Sequence, residues 1–103
     1  MEKTVKYRNI LTGFLEEYSK ITYPNAPTLE NQVIADTQRN HFELVSVGWD
    51  KGQFVHEVVF HFDIKGGKII IQQNWTDIKL SKVLVKRGVS PDDIEVGFVP
   101  VYA

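Results

Sequence analysis

The sequence predicts an α+β domain: an N-terminal helix, a four-stranded antiparallel meander sheet, a second helix, and a short C-terminal strand or turn. Three observations carry this expectation. In VKYRNILTGFLEEYSK the residues Tyr7, Ile10, Leu11, Phe14, Leu15 and Tyr18 recur three and four positions apart, the spacing that puts side chains on one stripe of a helix. From about Leu29 the apolar period drops to two, as on a strand with one face buried. Short polar segments, TQRN, DKGQ and KGGK, then punctuate the alternating runs, and connections that short join antiparallel neighbours.

The elements follow in order. Lys6, Arg8, Glu16 and Glu17 fall mostly off the apolar stripe of the first helix. Gly13 interrupts it at a cost of about 1 kcal/mol relative to Ala, which suggests a close packing contact there. Pro24 and Pro27 in TYPNAP end the helix and open a loop. The strand-like runs are roughly 29–37, 40–49, 54–64 and 68–74. TDIKLSKVLVKRG reads as the second helix, with Thr76 as N-cap and Gly88 just past a basic last turn. SPDDI reads as one capped turn with Pro91 at its first helical position. EVGFVPVY reads as a short last strand.

Composition narrows the function classes. A chain of 103 residues is expected to form one domain, and 43% hydrophobic with 12% aromatic residues is enough for a core. With no cysteine, disulfides, thiolate nucleophiles and cysteine zinc sites drop out together. MEKTVKYRN lacks the apolar run of a secretory signal, and no stretch approaches the ~20 apolar residues of a bilayer span. A soluble cytoplasmic protein without membrane contact is therefore expected. A net charge of −1 gives no broad basic footprint for nucleic acid.

The candidate chemistry lies in VHEVVFHFDIKGG. Regular alternation puts His56 and His61, five residues apart, on opposite faces, where they cannot share a metal unless a bulge intervenes. Symmetrical hairpins would pair Trp49 with Phe54 and Ile64 with Ile69. One face would then carry Val45, Val47, Trp49, Phe54, Val58, Phe60, Phe62, Ile69 and Ile71 as the core, with His56 opposite Val47 and His41 at the end opposite Phe62. His61 and Asp63 would share the other face with Gln72 as nearest cross-strand neighbour, a poor third ligand. No metal, cofactor or catalytic residue is expected, and His61/Asp63 remain as the residues of a minor alternative, a small enzyme. A one-residue bulge would invert part of this assignment.

The other face is too apolar for free exposure. Phe42, Leu44, Val55, Val59 and Ile70 are the expected protein-interface residues, contacting another chain or a second copy of this one. Lys79, Lys82, Lys86 and Arg87 on the second helix are candidate nucleic-acid contacts, weighed against a solvated helix face with cations at its favourable end. Gly66-Gly67 joins two strands and opens no helix, so it is no phosphate loop. Ser46 and Ser81 have no triad context.

The order YRNILTGFLEEYSK, HFELVSVGW, the H-x-D-I-x-x-G-K-I-x-I-Q core from His61 to Gln72, and GVSPDDIEVGF resembles the XisI-like family, the excision controlling factors of the fdxN element. The match departs at Trp75, where the family usually has a small residue in its turn. The resemblance implies a compact α+β domain with a curved antiparallel sheet. It also implies a non-enzymatic accessory role beside a site-specific recombinase in heterocyst-forming cyanobacteria. A companion protein of the XisH type would be the partner, with homo-oligomerisation and a DNA-binding module on the second helix as the alternatives.

Overall fold

The computed structural model describes residues 2–98. Helix α1 spans Lys3–Ser19 and buries Tyr7, Leu11, Phe14 and Leu15, with Ile10 and Tyr18 on the flanks of the stripe. The strands are β1 (Glu30–Asp36), β2 (His41–Asp50), β3 (Gln53–Lys65) and β4 (Lys68–Asn74), followed by α2 (Leu80–Lys86), a 3₁₀ turn at Pro91–Asp93 and β5 (Ile94–Val96). They form one sheet in the order β1-β2-β3-β4-β5. The first four strands are an antiparallel meander, and β5 runs parallel to β4. A parallel neighbour needs a crossover, and α2 with the 3₁₀ turn supplies it. Residues 99–102 of the EVGFVPVY segment lie outside the described residues.

Both predicted hairpin registers are present: Trp49 opposes Phe54, and Ile64 opposes Ile69. Between them the alternation breaks once in β3. Val45 opposes Val58, but Leu44 opposes Phe60, so Val59 is an extra residue. A second irregularity leaves Gln72 extra in β4, since Phe62 opposes Ile71 while His61 opposes Gln73. A bulge of this kind shifts the phase of the pleat, so residues on its two sides exchange faces.

That exchange corrects the face assignment. Phe42, Leu44, Phe60, Phe62, Ile64, Ile69 and Ile71 share the face under the helices, and α1, Leu80, Leu84 and Val89 close over it. Phe14 is the centre of an aromatic cluster, with its ring 5.3 Å from Phe60 and 6.1 Å from Phe62. Each large side chain buried here contributes roughly 1.5–3 kcal/mol. The expected interface residues Phe42, Leu44 and Val59 are therefore core, while Val55 and Ile70 are half-buried. On the hairpin side of the bulge, Val47, Trp49, Phe54, His56 and Val58 turn to the open face instead. His56 does oppose Val47, but as an exposed side chain and not a core histidine.

Two local expectations also change. Helix α2 starts at Leu80, not after Thr76. Asn74 and Thr76 build a turn of their own: Asn74 Oδ1 accepts from the Thr76 amide at 3.0 Å, and Thr76 Oγ1 accepts from the Ile78 amide at 3.1 Å. Short polar side chains compete with the helix in this way. A Cβ on Gly13 would meet nothing within 4 Å, so no close contact demands that glycine.

Candidate functional site

Both helices cover one face of the sheet, and the opposite face is left open. At the β2–β3 hairpin end this open face carries Trp49 and Phe54, exposed by 63% and 56%, with their rings 5.4 Å apart in an edge-on pair. Ile34 on the edge strand β1 is 48% exposed and belongs to the same face. Val47 and Val58 lie half-buried beside the two rings, whereas Ile34 stands opposite Glu43 toward the other end of the face. Aromatic side chains in such number on a small open sheet are the chemistry of a contact surface. Their exposure has a backbone cause. Gly48, with φ +148°, lets the chain at Thr28–Leu29 lie against the other side of β2. The Thr28 hydroxyl donates to the Trp49 carbonyl there, which fixes the strand that presents the indole.

Further along the same face a polar cluster replaces the apolar one. The bulge at Val59 moves His41 from its expected place opposite Phe62 to a place opposite Asp63. His41, His61 and Asp63 thereby converge. His41 Nδ1 lies 2.7 Å and His61 Nε2 2.9 Å from the same Asp63 oxygen, Oδ1. Gln72 Nε2 donates to Oδ2 at 3.1 Å, and His61 Nδ1 lies 3.3 Å from Glu43 Oε2. Burial pushes the Asp63 carboxyl up, but the hydrogen bonds from His41, His61 and Gln72 outweigh it and hold the group below its usual range. Sequence reasoning had His61, Asp63 and Gln72 together and missed His41 and Glu43. The signal was present: Val58-Val59-Phe60 is a run of three apolar residues that no regular alternation explains.

The basic residues of the second helix separate into two groups. Lys79, Lys82 and Lys86 are exposed. Arg87 is engaged: its Nη1 lies 2.7 Å from Glu17 Oε2 and its guanidinium 5.3 Å over the Phe14 ring, tying α2 to α1. Trp75 is exposed and lines an open groove of about 580 Å³ with Tyr18, Tyr23 and Val59. Among the described residues, no helix is long and apolar enough to cross a membrane.

These features define a class: an α+β domain whose two helices back a mixed five-stranded sheet with an open, aromatic-bearing face. Comparison then gives the family. The model of the family described as XisI protein matches residues 1–103, and the chain belongs to that family. A solved XisI-like protein from Anabaena variabilis ATCC 29413 is 38% identical, with a TM-score of 0.85 over 96% of this chain and 90% of its own. The fdxN element excision controlling factor XisI of the same organism shares the fold, with a TM-score of 0.80 and 24% identity over 97% of this chain and 96% of its own. No curated protein matches significantly.

Proposed function

We propose that this chain is a non-enzymatic accessory subunit in the control of site-specific DNA-element excision. It acts by holding a companion protein, of the XisH type that the family resemblance implies, against the open face of its sheet. The observation that carries this reading is the exposed pair Trp49 and Phe54, flanked by Val47 and Val58, on a face that neither helix covers. The two rings would bury on the order of 250 Å² on docking, about 6 kcal/mol gross at 25 cal/mol/Å². That is the scale of an interface centre within a contact of about 800 Å² per partner. The family membership supports the setting, and the surface supports the mode of action.

The test is co-purification of the full chain with its XisH-type companion, followed by size-exclusion chromatography with light scattering and a binding titration. A complex of fixed stoichiometry is expected. Trp49→Ala and Phe54→Ser should each weaken it at least about tenfold, whereas Lys82→Glu should leave it within about twofold. A self-dimer that the same two substitutions dissolve would assign the face to a second copy of this chain and displace the companion. Weakening by Lys82→Glu alone, with a steep loss of binding to labelled DNA as salt rises, would move the function to the second helix.

A further inference from the structure

We propose that His41, His61 and Asp63 form a binding site for a divalent first-row transition metal ion of the Zn²⁺ class. One ligand atom from each residue lies within 4.8 Å of the others. The ligands are His41 Nδ1, His61 Nε2 and Asp63 Oδ1. Two imidazoles and one carboxylate suit zinc and its neighbours, not the oxygen-seeking Ca²⁺ or Mg²⁺.

Four features of the cluster point to a cation. First, Asp63 is only 6% exposed, and a buried carboxylate needs a counter-charge. Among the described residues its ion-pair partners are the two imidazoles, with no lysine or arginine. Second, both ring nitrogens aim at one oxygen, at 2.7 and 2.9 Å. Ligand atoms on a tetrahedral ion with bonds of about 2.0–2.1 Å sit about 3.3 Å apart. An ion therefore replaces the two shared protons with an opening of about half an ångström at each contact, a small torsional adjustment. Third, the outer contacts are those that orient metal ligands. Glu43 faces the other nitrogen of His61, and Gln72 holds the second oxygen of Asp63. Fourth, the His41 ring is half-exposed, so an ion reaches the site from solvent without opening the core.

The strands explain why these residues meet. His41 and Glu43 lie two apart on β2, and His61 and Asp63 two apart on the facing β3. The Val59 bulge brings the two pairs onto the same face. The ligands therefore stand on two rigid, paired strands, and a bound ion would fasten the start of β2 to β3.

Isothermal titration of the EDTA-treated full chain with Zn²⁺ tests the proposal, with ¹H–¹⁵N spectra of the histidine side chains as a second readout. One ion per chain is expected. His41→Ala and Asp63→Asn should each weaken binding at least about 100-fold, and Glu43→Gln by about 10- to 100-fold. His56→Ala, which removes an exposed histidine on the same face outside the cluster, should leave binding unchanged. His41 Nδ1 and His61 Nε2 should show the metal-bound shift, and His56 should not. Absence of binding at millimolar Zn²⁺, equal loss in His56→Ala, or a metal-bound shift on His56 in place of His41 would each overturn the site. His41→Ala also removes a hydrogen bond to the buried Asp63, so the fold of each apo variant is checked by its ¹H–¹⁵N spectrum, and Glu43→Gln, which leaves the bonds of Asp63 in place, separates lost ligation from lost folding.

Discussion

Two glycines, changed to alanine one at a time, should move stability in opposite directions. Gly48 sits in β2 at φ +148°, and a Cβ there would come within 2.7 Å of the Thr28 carbonyl oxygen and 3.3 Å of Leu29 Cα. Both neighbours are backbone, so relief requires the 28–29 segment to retreat by roughly 0.7 Å to reach ordinary contact distance. Strain at positive φ costs about 1–3 kcal/mol, and overpacking against backbone adds about 1–3 kcal/mol. A less flexible unfolded chain gives back about 0.4–1 kcal/mol. Gly48→Ala should therefore destabilise by about 2–4 kcal/mol. For a domain of this size that lowers the melting temperature by about 10–25 °C. Gly13 lies inside α1 with open space where a Cβ would go. Gly13→Ala should stabilise by about 0.5–1 kcal/mol, the difference in helix propensity. Urea unfolding of the three proteins, with equal slopes required, measures both. A neutral or stabilising Gly48→Ala would mean that the 28–29 segment does not lie against β2 in solution. The bond from the Thr28 hydroxyl to the Trp49 carbonyl would then be absent as well.

Three further outcomes are expected. Tyr7 donates to Asp93 Oδ2 at 2.6 Å, and this bond, over a smaller opposing effect of burial, holds the Asp93 carboxyl below its usual range. A depressed folded value means stability that is present above the unfolded value and lost as pH falls through the folded one. Tyr7→Phe should thus flatten the fall in melting temperature below about pH 4, and an unchanged acid limb would show that the bond contributes nothing. At the other extreme, burial and the Asp93 bond raise the Tyr7 phenol. Its contribution is present below pH 10 and lost as pH rises through the raised folded value; burial raises Tyr18 too, so absorbance at the tyrosinate band should show late titration from these two phenols, and Tyr7→Phe should remove the share of one. Arg87→Lys should lower stability by about 0.5–1 kcal/mol, because an ammonium keeps the exposed pair with Glu17 but loses the flat contact over Phe14; thermal melts that superimpose would refute the tethering role.

Much of the fold was legible because its signals are local. The stripe from Tyr7 to Tyr18 reports α1 directly, and the polar turns report the meander and the Trp49–Phe54 and Ile64–Ile69 pairs. The start of α2 was read too early because Thr76 resembles an N-cap in sequence. In the structure its hydroxyl serves a turn that Asn74 initiates. The facing of the sheet was misread for a different reason. Alternation fixes only relative facing along an unbroken strand, and one inserted residue reverses everything beyond it. The residues misplaced were those of β2 and of the hairpin half of β3: Trp49 and Phe54 went from expected core to the open face, Phe42 and Leu44 from expected surface to core, and His41 from core edge to partner of Asp63, while Phe60 and Phe62 beyond Val59 kept their place. Arg87 was grouped with the lysines because spacing along α2 carries no information about Glu17 and Phe14 on another helix.

The bulge at Val59 also accounts for how one short strand serves two purposes. Without it, Trp49, Phe54, Phe60 and Phe62 would share a face. The sheet would then have to bury its whole aromatic set under the helices or expose all of it. With the phase reversed in mid-strand, Phe60 and Phe62 go under α1, while Trp49 and Phe54 go to the open side. The same reversal turns His61 and Asp63 outward beside His41 and Glu43. The open face thus acquires an apolar end and a polar end on two continuous strands. A partner docked on the rings would be seated on the same two strands that hold the His–Asp cluster.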